Sequence, residues 1–395
     1  MILKNVNKMF LFFYGLTLVM FVNDVNYTFI ETIFSLILLL LFFIDNILIQ
    51  KKFKIPKILN LLFLFIFFAL LGLALNNVWQ YEYFDPIITL FKIFIFLIVL
   101  YNIISNDNDS VKFLINGILL GVIINISIGY FVGRDFFGQL GYRYAGSLQN
   151  PNHYSFILCS SIIFLIFYYT DGLFNTIFKK IIALIFLYII IFEIIFFSGS
   201  RIGIITLIFI AFYFLLMNFK INIRNISYLI LFSVVLTTVV FLSIEFFPKS
   251  INRVLSLTEI SEFNSSNISD PSFMYRFSYI IKGIEYWTEN PIIGLGIDQF
   301  RHVNNSSYSH NNYVELLSTT GIIGFLLYYI FIAKLFFKKN VNSVKFHWSQ
   351  IAIITLLISD LTSVSYLEKP YWIVLIILIV VNYSKHSNRN YNFKL

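Results

Sequence analysis

The sequence predicts an all-α polytopic membrane protein. Three observations predict it. Of 395 residues, 59% are hydrophobic and 12% charged, with a mean hydropathy of +0.83. Apolar runs of spanning length recur along the chain, separated by short polar breaks. No ten-residue alternation of the barrel type is present, so lipid-facing backbone must satisfy its own hydrogen bonds as helix. A soluble globular fold is excluded by that apolar load. The single cysteine, Cys159, excludes an intrachain disulfide and a cysteine-based metal site. The formal net charge of +8 does not call for nucleic acid, because basic residues in a membrane protein mostly set topology. The many Phe and Tyr residues, 48 and 25, read as the bias of an AT-rich genome and carry little functional weight.

Taken in order, Lys4 and Lys8 precede an apolar run from Met9 to Val22. No small-residue cleavage site follows it, so the run reads as an uncleaved first span. Further runs place spans near 27–49, 58–75, 86–104, 111–131, 153–170, 181–198, 201–218, 227–247, 311–336, 348–366 and 370–384. The expected organisation is nine spans in 1–247, a loop at 248–310, spans ten to twelve in 311–384 and a tail at 385–395. With the N-terminus in the cytoplasm, the inner segments and their span ends hold 18 basic residues and the outer ones nine. That asymmetry predicts both termini inside.

Residue type is more informative than charge. Of 20 lysines, 16 fall on the inner side. Of eight arginines, six fall outside: Arg134, Arg143, Arg201, Arg253, Arg276 and Arg301. Lysine suffices for topology, whereas the planar guanidinium grips phosphate or carboxylate with two parallel bonds.

Two outer loops stand out. The first, 132–152, is rich in Gly and Asn and ends N-P-N at 150–152, a pattern of turns. The second, 248–309, is the only long one, and long loops with structure of their own usually carry function. Within it, Asp270-Pro271 reads as a helix start. From there to Glu289, apolar residues recur at three- and four-residue steps (Phe273, Phe277, Ile280, Ile281, Ile284, Trp287). This predicts an amphipathic helix over 271–289, lying on the membrane surface or capping the bundle. Arg276, Tyr279, Gly283 and Tyr286 form a neighbouring stripe. Asn290-Pro291 ends the helix and G-L-G at 294–296 turns the chain back.

The stretch from Ser309 to Tyr329 then passes from polar to apolar. Ser309 reads as its N-cap and His310 as a residue of the first helical turn. His310 has two readings: a polar residue that starts a helix, or a general base that takes a proton from a hydroxyl. Asn311 and Glu315 share a helix face, whereas Glu315 is poorly placed to orient the histidine ring. Arg201, after S-G-S, is either a snorkelling interfacial arginine or a phosphate clamp. Glu193 either neutralises Arg201 or is functional by virtue of its membrane depth. Glu245 and Asp360 carry the same flag. No phosphate-binding glycine loop, zinc-spaced His/Glu set or G-x-S-x-G motif is present.

Three patches resemble the O-antigen ligase and O-antigen polymerase family of bacterial membrane glycosyltransferases. They are S-G-S-R-I-G-I-I-T-L at 198–207, the run from Arg276 to Phe300 with its P-I-I-G-L-G, and H-N-N-Y-V-E-L-L-S-T-T-G-I-I-G at 310–324. N-P-N at 150–152, after Arg143 and Gly146, is also similar, and so is the layout of about twelve spans with one large outer loop. The N-S-S-N-I-S stretch at 264–269 matches no part of the pattern. The resemblance implies transfer of a glycan from a polyprenyl diphosphate, such as undecaprenyl diphosphate, to an acceptor hydroxyl at the outer face of the inner membrane, with no cofactor, nucleotide or metal. Arg201, Arg276 and His310 are the matching catalytic positions; Arg301, Arg143, Asn150, Asn152, Asn311 and Glu315 complete the expected substrate contacts. It further implies a lipid-linked oligosaccharide donor, a glycan or lipid-core acceptor, and a flippase and chain-length regulator as partners. Polymerisation of O-antigen, capsule or exopolysaccharide units is favoured over ligation to lipid A core. A transporter of lipid-linked sugars is the reading from another class, and it would show repeat symmetry and broken helices.

Overall fold

The computed structural model describes residues 2–21, 28–51, 53–76, 84–107, 109–132, 144–170, 172–218, 271–304, 306–337 and 343–383. Among them every regular element is helical. The helices are α1 (Ile2–Met20), α2 (Thr28–Phe42, running on as a wider turn to Ile49), α3 (Leu59–Leu75), α4 (Asp85–Ser105), α5 (Ser110–Phe131), α6 (Pro151–Thr170), α7 (Ile177–Phe192, continued to Phe197) and α8 (Arg201–Asn218). After 219–270 come α9 (Pro271–Glu289), α10 (Gln299–Val303), α11 (Asn312–Phe337), α12 (Ser343–Ser359) and α13 (Lys369–Tyr383). Six of the described stretches are long and apolar enough to cross a membrane: 29–49, 85–105, 110–131, 151–170, 177–197 and 312–337. Apolar helices at 59–75, 201–213, 348–359 and 369–383 are shorter. The span expected at 227–247, Glu245, Arg253 and the first part of the long loop lie outside the described residues.

The bundle has a centre and a rim. On α13, Tyr371 to Val380 are all buried, so this short helix is surrounded by protein. On α7, Ile181, Ile182, Leu184, Ile185 and Tyr188 are exposed, as a lipid-facing helix would be. Where α1 and α5 cross, the two glycines of G-I-L-L-G at 117–121 sit against the α1 backbone at Phe12 and Leu16 and against Val19. Small residues allow that approach.

One crossing fixes the position of α9 against α11. Helix α11 is broken at Gly321, with φ 60° and ψ −170°. The break leaves backbone groups without partners, and the loop after α9 supplies them. Leu295 N–H donates to Ser318 O and Gly296 N–H to Thr319 O, both at 2.9 Å, and Ile322 N–H donates to Pro291 O at 2.9 Å. The two chains pass so closely that a Cβ on Gly294 would meet the 319–321 backbone, and one on Gly321 would meet that of Ile292. Both glycines also have positive φ, 69° and 60°, which a side chain would strain. P-I-I-G-L-G and S-T-T-G-I-I-G are therefore two halves of one backbone clasp.

The arginine stripe of α9 faces inward over this clasp. A Cβ on Gly283 would collide with Val314 of α11, and Tyr286 stacks edge-on against Phe300 at 5.9 Å. The apolar stripe at Phe277, Ile281 and Ile284 is the exposed one.

Candidate active site

The starts of α6, α8, α11 and α13 meet at one end of the bundle. The starts of α6, α8 and α11 are built from short polar residues that satisfy otherwise orphaned backbone groups.

At α11 the cap is not Ser309. Asn311 Oδ1 accepts from the backbone N–H of Tyr313 at 3.0 Å and of Val314 at 3.1 Å, so the helix begins two residues later than the sequence suggests. Ser309 instead donates its hydroxyl to Asn311 O at 2.8 Å. Glu315 reaches back and accepts from Ser309 N–H at 2.8 Å. The reason is local: an asparagine carboxamide caps as well as a serine, and the Glu315 carboxylate holds the chain before it. His310 consequently lies ahead of the helix, not in its first turn. Its φ is 56°, a left-handed conformation that histidine tolerates better than most residues. Asn312, which follows the cap Asn311, is a clamp. Its Nδ2 donates to Tyr329 Oη and Asp360 Oδ2, and its Oδ1 accepts from Ser365 N–H at 3.0 Å. The three residues of H-N-N thus present, cap and clamp.

His310 is half-buried between two tyrosines. The Tyr308 ring lies 4.3 Å away, tilted by 46°, and the Tyr279 ring of α9 is near-parallel at 6.2 Å. Burial, with the Arg276 guanidinium in support, lowers the imidazole pKa from its ordinary 6.5 to about 4. The ring is neutral at physiological pH. Tyr308 responds to three charges: burial pushes its hydroxyl up first, Glu368 and Glu315 add to this, and Arg276 opposes it.

Arg301, on α10, holds Asp298 with Nε 2.7 Å from Oδ2. Burial still raises the Asp298 carboxyl to about 6, against the pull of Arg301. Asn311 and Glu315 are buried and committed to the α11 start, although Glu315 Oε1 has no hydrogen-bond partner.

Arg201 opens α8 beside the start of α6. Ser200 Oγ donates to Asn152 Oδ1 at 2.9 Å, Ser155 Oγ donates to Ser200 Oγ at 3.1 Å, and the α8 Gly203 backbone presses on Ser155. Asn150 Oδ1 accepts from Asn152 N–H at 2.9 Å and so caps α6. Glu193, buried in the wide turn that ends α7, accepts from Tyr154 Oη at 3.3 Å. Arg134 and Arg143 lie outside the described residues; Tyr144, next to Arg143, donates its N–H to Phe197 O at 2.7 Å.

The structure brings Arg276 and His310 together, with Tyr308 and Tyr279 around them. It places Arg301 on Asp298, and it ties Asn150 and Asn152 to the α6–α8 junction. Sequence reasoning missed Tyr308, Asn312 and Glu368. Tyr308 stood two residues from His310, an aromatic beside a candidate base, and that was a usable signal. Glu368 gave none, because 58 residues separate it from His310. No curated protein matches the chain. Residues 184–329, from within α7 to within α11, match the family model described as O-antigen ligase, and that stretch holds Arg201, Arg276 and His310.

Proposed function

We propose that the protein moves a glycan from a polyprenyl diphosphate to an acceptor hydroxyl at the extracytoplasmic face of the cytoplasmic membrane. The observation that carries this reading is a neutral, half-buried His310 held beside Arg276 within the family-matched stretch. His310 takes the proton of the acceptor hydroxyl. The freed oxygen bonds to the anomeric carbon while the carbon–oxygen bond to the diphosphate breaks. The bonding pair leaves with the diphosphate, whose growing charge meets Arg276 and Arg201. The proton then passes from His310 to solvent or to the departing diphosphate.

An imidazole of pKa about 4 is a weak base. The bound diphosphate corrects this. Its charge offsets Arg276 and raises the imidazole pKa towards the working range, so the donor arms the base. Tyr308 and Tyr279 supply flat apolar faces for sugar rings. Asn311, Asn312 and Glu315 hold the histidine; Arg301, Asn150 and Asn152 line the approach, and Arg143, outside the described residues, is assigned as a further substrate contact. Twelve spans with both termini inside complete the reading, and Ser265→Cys in a Cys159→Ala background should react with an impermeant thiol reagent in intact cells. Polymerisation of repeat units is favoured over ligation; the two differ in whether lipid-linked repeat unit or lipid A core accepts the glycan. The transporter reading expects a broken helix, and α11 is one. Its break, however, is filled by the 291–296 backbone.

The test is transfer by purified protein in detergent with lipid-linked donor and acceptor. His310→Gln should be inactive, since an amide hydrogen-bonds but accepts no proton. Near-normal turnover in that variant would remove the acid–base role.

A further inference from the structure

Tyr308 also feels Glu368, which belongs to a second pair of groups. Glu368 is the residue before α13, and His153 stands in the first turn of α6. The Glu368 carboxylate is 30% exposed, and its Oε2 lies 3.7 Å from His153 Nδ1, beyond hydrogen-bonding reach. His153 is buried, and its Nδ1 has no hydrogen-bond partner. A buried polar atom left so is rare and costly unless something bridges it.

The α13 start and the His153 ring are both held in place. Glu368 N–H donates to Ser365 O at 3.0 Å, and Lys369 Nζ pairs with Glu31 of α2, which anchors the α13 start. The His153 ring stands edge-on to Tyr371, itself stacked on Phe156 at 3.9 Å. The 3.7 Å gap between the two groups is left unbridged by hydrogen bonds. A hydroxyl or water seated there could donate to the carboxylate and meet the imidazole nitrogen. A carboxylate near an aromatic side chain suits a sugar carrying neighbouring hydroxyls. The same carboxylate repels a diphosphate, and Arg276, not Glu368, acts on His310. We propose that Glu368 and His153 form a hydroxyl-binding subsite for the acceptor sugar, distinct from the arginines that meet the donor's diphosphate.

This rests on the transfer reading above, and the test separates the two. The probe is the repeat-unit oligosaccharide of the producing cells, freed from its lipid diphosphate by mild acid. Its binding to detergent-solubilised protein is read by saturation-transfer NMR. Wild type and Arg276→Lys should bind the probe, whereas Glu368→Gln and His153→Asn should weaken binding roughly ten- to a hundredfold. In transfer assays the same two variants should raise KM for the acceptor and leave KM for the lipid-linked donor unchanged. That unchanged donor KM certifies the fold. Undiminished probe binding in Glu368→Gln, or dependence of probe binding on Arg276, overturns the subsite. So does absence of binding to wild type. Normal transfer by His310→Ala would instead overturn the reaction assignment, and the probe result would still stand or fall by itself.

Discussion

The start of α8 and the start of α11 both place a nitrogen-bearing side chain at a helix entrance, and they treat it in opposite ways. At α8, Arg201 is the first helical residue, set where aligned peptide dipoles already concentrate positive potential. A cation there is disfavoured by about 0.3–1 kcal/mol at an exposed site unless an anion joins it. Its neighbours Ser200, Asn152 and Ser155 bond to one another and lock the turn. At α11 the side chain stands outside the helix, on a left-handed residue, and burial keeps it neutral. One entrance suits the anion proposed for it; the other keeps an imidazole from becoming a cation.

The largest effect should come from breaking the second entrance. His310→Ala should lower transfer by about 10²–10⁴-fold, the usual share of a general base, while binding of the lipid-linked donor persists. His302, exposed on α10, should tolerate alanine, and equal losses in both would remove the contrast. Next, Arg276→Lys and Arg201→Lys should each cost about 2–4 kcal/mol of transition-state stabilisation with normal insertion, because an ammonium cannot reproduce a two-point grip. Full activity in both would return the arginines to an interfacial role.

A pH series sharpens the comparison further. His310 is neutral above about 4, so kcat/KM for the donor should hold down to that region, and the acid limb of kcat should lie higher because bound diphosphate favours the imidazolium. Arg276→Gln removes a cation and should move the free-enzyme limb upward. The move is partial, since burial is the larger cause. A limb that stays put would disconnect the two residues. The smallest effect belongs to the supports: Asn311→Ala should cost about 1 kcal/mol of stability through the lost cap, with Asn311→Asp recovering most of it, as read by thermal melting. Transfer should survive excess chelator.

Much of this chain was legible as sequence. Apolar runs dictate helices because lipid offers no other partner to the backbone, and the 3.6-residue recurrence gave Pro271–Glu289 its stripes. The three patches singled out Arg201, Arg276 and His310 by residue type and order alone, and the transfer assays above test that choice. The cap was misread by two residues, from Ser309 to Asn311, because both types satisfy the same donors and only the path of the chain selects between them. Tertiary structure alone decided the rest. It turned the arginine stripe of α9 inward and its apolar stripe outward, because Gly283 lets α9 settle on Val314. It paired Gly294 with Gly321, since each break in one backbone offers partners to the other. It also set Glu368 beside His153, residues 215 positions apart, which no local pattern connects because the contact exists only once α6 and α13 share an end.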